Sequence, residues 1–318
     1  MLSQEVLEKL KGRSVAGFIQ SLKDGSANVE RYPTGFPTLD AILGGGLIAG
    51  ALYIIQAEST IGKTSLCLQM SSHWAKAGKT VLYFNLDNPG DSINYRMISR
   101  EYYEVALTET GNETKAKAKT KTIYELMDRN QREQMTTEER TLWEKAISAF
   151  EGYQDNIYFF ESVQNIEDLK KTVEKAIKAL GDDAKAVVVV DYLQKVPGDG
   201  KDEREDLTGI VKGLSSIRQC PVVALSSTPK SAQGATRASK TDGFGTVAIL
   251  YDAYVIMGLI KEGDFIKLSI LKNKDGEANR DVSFRFLKER GFFTEMGTGF
   301  DAMTEQEVQM RAFQQMMG

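Results

Sequence analysis

Ala57-Glu58-Ser59-Thr60-Ile61-Gly62-Lys63-Thr64 lies between two apolar runs. The first, Ala51 to Ile55, is predicted as a strand. The second, Ser65-Leu-Cys-Leu-Gln-Met70, is predicted as the start of a helix. A strand, a loop ending in Gly-Lys-Thr and a helix form the context of a phosphate-binding loop, here with Ala57 in place of the usual first glycine. Backbone N–H groups at such a turn and at the helix start point at a bound anion. The residues expected around the phosphates are Ala57, Glu58, Ser59, Thr60, Ile61, Gly62, Lys63, Thr64 and Ser65. Lys63 is expected to reach the β- and γ-phosphates, and Thr64 to hold Mg²⁺. The expected ligand is ATP or GTP.

Outward from this loop, apolar runs alternate with helical patterns. Strands are predicted over 51–57, 80–86, 156–161, 186–191 and 221–226, and helices over 63–77, 89–103, 165–179 and 203–218. Ala186-Val-Val-Val-Val190 is apolar at every position, which suits a parallel strand covered on both faces. Beyond residue 250 the strands crowd together, over 252–260, 265–273 and 281–287, as antiparallel hairpins at a sheet edge. The fold class is therefore α/β: a doubly wound, mostly parallel sheet with antiparallel C-terminal edge strands. Val6, Leu10, Val15, Phe18 and Leu22 recur at helical spacing and predict one or two amphipathic helices over 3–23. Pro33 and Gly35 break that pattern, and Gly44-Gly45-Gly46 marks a turn. Thr304-Glu-Gln-Glu307 is a capping box that opens a C-terminal helix. The expected divisions are an N-terminal helical region over 1–30, the nucleotide-binding domain over 31–300 and the C-terminal helix over 301–318. Residues 104–150 are polar, with Lys115, Lys117, Lys119 and Lys121 alternating. They read as a solvated loop with two surface helices, or as a basic contact with a partner or nucleic acid.

The chain has 318 residues, 42% hydrophobic and 26% charged, ordinary values for a globular protein with a real core. A net charge of −4 gives no global basic field, so any nucleic-acid contact must be a local patch. Cys67 and Cys220 sit in apolar runs and read as small core residues in a reducing compartment. Neither a secretory leader nor an apolar stretch of membrane length is evident, so a cytoplasmic location without membrane contact is expected. His73 is the sole histidine, which excludes histidine acid–base catalysis and multi-histidine metal sites. It reads as structural or exposed.

Val187-Val-Val-Val190-Asp191 ends an apolar run in an acid. Ligands of open parallel sheets bind at the carboxyl ends of the strands, where Asp191 would share Mg²⁺ with Thr64. Asp87 ends the run Thr80-Val-Leu-Tyr-Phe-Asn-Leu-Asp87, expected near the phosphate-loop strand. It either orients the attacking water or is a solvent-exposed strand end.

Tyr32-Pro-Thr-Gly-Phe-Pro-Thr-Leu-Asp40, Asp191-Tyr-Leu-Gln194, Pro221-Val-Val-Ala-Leu-Ser226, Asp252-Ala253 and Lys272-Asn-Lys-Asp-Gly276 follow in order. Together with the phosphate loop they resemble the motifs of DnaB-type replicative helicases over roughly residues 30–290. In that family the phosphate loop also commonly begins with Ala. The resemblance implies a RecA-like ATPase domain in a hexameric ring, with ATP between subunits and single-stranded DNA in the centre. Residues 1–25 resemble the linker helix that docks on an adjacent subunit; a helix packed on its own domain is the other reading. A helicase loader is a further implied partner. The large N-terminal domain that contacts primase is not expected, because about 30 residues precede the ATPase core.

Several positions depart from that pattern. Asp87 stands where the family has a water-activating Glu, and its carboxylate reaches less far. Ser227 stands where a Gln senses the γ-phosphate. Lys274 stands where the family has an arginine finger, and it supplies charge without the bidentate fork. With Lys272, it would act on a neighbour's γ-phosphate. Glu58 and Ser59 replace the usual Arg and Pro. Of the two loops expected to face DNA, residues 194–206 carry Lys195, Lys201 and Arg204 against Asp199, Asp202, Glu203, Glu205 and Asp206. Residues 227–246 carry Lys230, Arg237 and Lys240 against Asp242 alone, and are the expected DNA contact. The sequence thus predicts an ATP-dependent DNA helicase that translocates as a ring. The departures support an alternative, a non-unwinding regulatory or partner-loading ATPase.

Overall fold

The computed structural model describes residues 15–181, 185–228 and 247–296. They fall into two compact units that meet between Arg31 and Tyr32. The first unit contains helix α1 (Val15–Lys23), whose Val15, Phe18, Ile19 and Leu22 are all exposed. The residues before Val15, and the helix expected from Thr304, lie outside the described residues.

The second unit is built on a nine-stranded sheet. Its strands are β1 (Leu52–Ala57), β2 (Thr80–Asn85), β3 (Ile157–Phe160), β4 (Ala186–Asp191), β5 (Val222–Ser227), β6 (Val255–Glu262), β7 (Phe265–Asn273), β8 (Asp281–Leu287) and β9 (Phe292–Met296). The order is β9-β8-β7-β6-β1-β5-β4-β2-β3. All pairings from β6 to β3 are parallel, and those joining β6, β7, β8 and β9 are antiparallel. The expected α/β class with antiparallel edge strands is what forms. One neighbour differs: β2 is not beside β1, because β5 and β4 lie between them. β2 instead pairs with β4, which sets Asn85 opposite Asp191.

The helices of this unit are α2 (Pro37–Ile42), α3 (Lys63–Lys76), α4 (Gly90–Thr110), α5 (Glu113–Ala118), α6 (Ile123–Met127), α7 (Arg129–Glu133), α8 (Thr137–Glu151), α9 (Ile166–Leu180), α10 (Glu203–Ser215) and α11 (Val247–Asp252). Side chains alternate across the sheet. Tyr53, Ile55, Val187, Val189, Val223 and Leu225 pack with Leu66, Met70 and Trp74 of α3. Ile54, Val188, Val190, Val222 and Ala224 pack with Leu169, Val173, Leu207, Val211 and Leu214 of α9 and α10. Burial on both faces explains why these strands are continuous apolar runs. Cys67 and Cys220 are buried and free, and burial pushes both thiols above their usual range.

Residues 104–150 are not a solvated loop. They form a helical subdomain with a core of its own, in which Tyr102, Tyr103, Ala106, Leu126, Leu142 and Ala146 gather around Phe292. Thr122 and Thr136 close capping boxes with Glu125 and Glu139. Two of the alternating lysines form ion pairs. Lys119 pairs with Glu138, and Lys121 with Glu139 at 2.9 Å. Among the described residues no helix is long and apolar enough to cross a membrane.

Candidate nucleotide-binding site

The loop after β1 bends through two left-handed residues, Thr60 at φ 69° and Gly62 at φ 114°. Gly62 is required twice over. Its φ suits glycine, and a Cβ there would lie 2.8 Å from Phe286 and 2.9 Å from Phe293. Those two rings stack at 4.1 Å behind the loop. Lys63, the first residue of α3, folds back so that its Nζ donates to the carbonyls of Ala57 at 2.7 Å and Glu58 at 2.9 Å. Burial lowers its pKa to about 8, against the opposing pull of Asp191, Asp87 and Glu58.

Asp191 ends β4 and is 2% exposed. Tyr83 of β2 donates its hydroxyl to Asp191 Oδ2 at 2.9 Å, and the Thr64 hydroxyl also bonds this carboxyl. Burial raises the Asp191 pKa while these hydrogen bonds hold it back. A buried carboxylate beside a threonine hydroxyl and an ammonium that is easily neutralised favours an additional cation. One carboxylate and one hydroxyl suit Mg²⁺, which takes its remaining ligands from phosphates and water. The donor set therefore fits the implied ion.

Asp87 follows β2 and is 38% exposed. Lys195, in the turn after β4, faces its Oδ1 at 3.3 Å. The preceding residue, Gln194, donates from Nε2 to Ser226 Oγ at 3.1 Å and accepts from the Ser227 N–H at 3.3 Å. Lys63, Thr64, Asp87, Asp191 and Ser227 thus line one cavity of about 690 Å³ at the carboxyl ends of β1, β2, β4 and β5. Its opposite wall was not anticipated from the sequence. It includes Arg96 from α4, Ile123, Tyr124 and Met127 from α6, Phe286 from β8, and Lys288 and Glu289 from the 3₁₀ turn between β8 and β9. The Thr122–Glu125 capping box announces α6 in the sequence, but nothing local announces that α6 faces the loop.

Residues 32–295 match the family described as the DnaB-like helicase C terminal domain. The chain belongs to that family. Two DNA repair proteins named RadA are similar over short stretches. That of Mycolicibacterium smegmatis is 38% identical over 65 residues, covering 20% of this chain and 14% of its own length. That of Aquifex aeolicus is 46% identical over 67 residues, covering 21% and 15%. The replicative DNA helicase DnaB of a Nostoc species is 24% identical over 209 residues, covering 64% of this chain and 21% of that protein. The matched stretches span 14% to 21% of the length of these curated relatives. Among solved structures, one described as an ATPase domain superposes with a TM-score of 0.75 at 17% identity, covering 93% of this chain and 100% of that one. A DnaB-like replicative helicase described with its primase interactions superposes at 0.73 and 18% identity, covering 89% and 66%. The fold is that of RecA-like helicase ATPase domains.

Within this DnaB-like domain, Lys272 and Lys274 are not among the residues lining the cavity. Lys272 Nζ donates to the carbonyls of Ala253 at 2.6 Å and Tyr251 at 3.3 Å, at the C-terminal end of α11. Burial and the neighbouring Lys274 lower its pKa. Lys274 is exposed, with its Nζ 5.8 Å from the centre of the Tyr254 ring. Lys230, Arg237 and Lys240 lie outside the described residues.

Proposed function

We propose that this chain is the motor domain of a DnaB-type helicase, hydrolysing ATP as a ring around single-stranded DNA. The observation that carries the proposal is the convergence of Lys63, Thr64, Asp87 and Asp191 on one cavity. The phosphates of ATP lie along Ala57–Ser65, and Lys63 swings from the Ala57 and Glu58 carbonyls to the β- and γ-phosphates. Thr64 and Asp191 hold Mg²⁺, which when bound neutralises charge on the β- and γ-oxygens. Asp87 orients the attacking water and takes its proton. The water oxygen bonds to the γ-phosphorus, the bond to the bridging oxygen breaks, and ADP leaves with that electron pair. Lys272 and Lys274 of a neighbouring subunit approach the γ-phosphate. Lys230, Arg237 and Lys240 contact DNA phosphates. The exposed apolar side chains of α1 support its docking on an adjacent subunit.

Lys63→Ala is expected to abolish both DNA-stimulated ATP hydrolysis and strand displacement. Full ATPase activity in that variant rejects the site. A second reading, a non-unwinding regulatory or partner-loading ATPase, is favoured by one observation: Asp87, the acid that would orient water, is tied to Lys195. DNA-stimulated hydrolysis with no strand displacement would select it.

A further inference from the structure

The turn after β4 joins two strand ends that face the proposed γ-phosphate position. Gln194 and Lys195 are consecutive there, in a single 3₁₀ turn, Leu193–Lys195. Gln194 binds the end of β5 through Ser226 Oγ and the Ser227 N–H. Lys195 binds the residue beyond β2, Asp87, at 3.3 Å. Side chains that are 47% and 38% exposed form a weak, salt-screened pair, easily broken by a stronger anion. From Lys195 the chain runs almost directly into an exposed loop, 197–202. Three of the acids around that loop accept backbone hydrogen bonds. Asp206 accepts from the Gly200 N–H at 2.6 Å, Glu205 from the Lys201 N–H at 3.0 Å, and Asp202 from the Glu205 N–H at 2.8 Å. They brace the first turn of α10, where negative charge is favoured. Asp202, Glu205 and Asp206 thus serve the helix start, and Lys195 is the cation of this stretch that pairs with Asp87.

We infer that Lys195 is a positioning residue that withholds Asp87 from water until a polyanion draws it away, so that the Gln194–Lys195 turn couples nucleic-acid contact to hydrolysis. The polyanion is the phosphate backbone of single-stranded DNA, and the inference rests on the ATPase proposed above. With Lys195 on Oδ1, one oxygen of the Asp87 carboxylate is engaged, although the side chain lines the cavity. Each phosphate brought to 197–202 competes for the same ammonium. Ser227 is too short to relay the γ-phosphate's presence by its side chain, and Gln194 reaches it through the backbone instead.

The test measures ATP hydrolysis by the full chain at saturating ATP, with and without oligo(dT). It compares the wild type with Lys195→Ala, Lys195→Arg, Asp87→Asn and the Lys195→Ala/Asp87→Asn double variant. Lys195→Ala is expected to raise the DNA-free rate about two- to fivefold, the range set by a half-exposed ion pair, and to lower the stimulation ratio by the same factor. Lys195→Arg is expected to keep the wild-type ratio. The double variant is expected to match Asp87→Asn, because the gain acts through Asp87. A DNA-free rate in Lys195→Ala equal to or below wild type, or an unchanged ratio, overturns the inference. Wild-type hydrolysis that vanishes in Lys63→Ala but ignores oligo(dT) also overturns it, while leaving the ATPase assignment standing. Hydrolysis that survives Lys63→Ala removes the assignment itself.

Discussion

Gly62 and Lys63 are adjacent, yet different physics constrains them. Adding a methyl group at Gly62 forces a left-handed φ on a Cβ-bearing residue and drives that Cβ into Phe286 and Phe293. Gly62→Ala is expected to cost about 1–3 kcal/mol of stability in urea denaturation and to lose binding of a fluorescent ATP analogue. Wild-type stability would show that the rings yield. For Lys63 the prediction concerns protons. The free protein holds its pKa at about 8, because burial penalises the ammonium. A bound polyphosphate favours the ammonium and raises that pKa, so binding takes up a proton wherever the free group is partly neutral. ATP affinity should therefore fall as pH rises through about 8, with uptake of roughly half a proton per nucleotide near that pH. Calorimetry in buffers of different ionisation enthalpy measures this directly. Lys63→Met should abolish the uptake, and uptake that persists in the variant assigns it elsewhere.

At the scale of elements, what could be read from the chain was what is contiguous along it. The strands at β1, β4 and β7 were legible because their burial is written residue by residue. The phosphate loop was legible because its chemistry occupies eight successive positions. The helical subdomain over 104–150 was not, because its buried residues are sparse among charges and acquire their core from Tyr102, Tyr103 and Phe292, far apart in sequence. The far wall of the cavity and the Asp87–Lys195 pair were hidden for the same reason. Arg290 adds a polar fastening between this subdomain and the edge strands. Its Nε donates to Thr120 Oγ1 at 3.0 Å, and its Nη2 to the carbonyls of Lys117 at 2.8 Å and Thr120 at 3.0 Å. Arg290→Met would leave those buried carbonyls without their donor, at a cost of about 2–4 kcal/mol. Hydrogen exchange should quicken over α5 and α6, and ATP affinity should fall with it, since Ile123, Tyr124 and Met127 line the cavity. Unchanged protection there would mean that the aromatic core alone anchors the subdomain.

At the scale of the whole molecule, one copy of the chain carries a phosphate loop and a pair of lysines that do not share a cavity. Lys274 is exposed and does not line its own site, so any part it plays in hydrolysis is played on a neighbour. The proposed ring would repeat one heterologous contact, in which each subunit would lend its hairpin to the next subunit's nucleotide. Complementation follows from that geometry. Lys63→Ala and Lys274→Ala are each expected to be inactive alone, the first for want of a phosphate ligand and the second for want of charge from its neighbour. In an equal mixture, a contact is intact when a subunit with Lys63 receives the hairpin of one with Lys274. Random assembly makes that roughly one contact in four. The mixture should recover up to about a quarter of the wild-type ATPase rate, appearing only after the two proteins have been disassembled and reassembled together. Wild-type activity in Lys274→Ala alone would place Lys274 outside the hydrolytic step, and no recovery on mixing two inactive variants would argue against its acting on a neighbour.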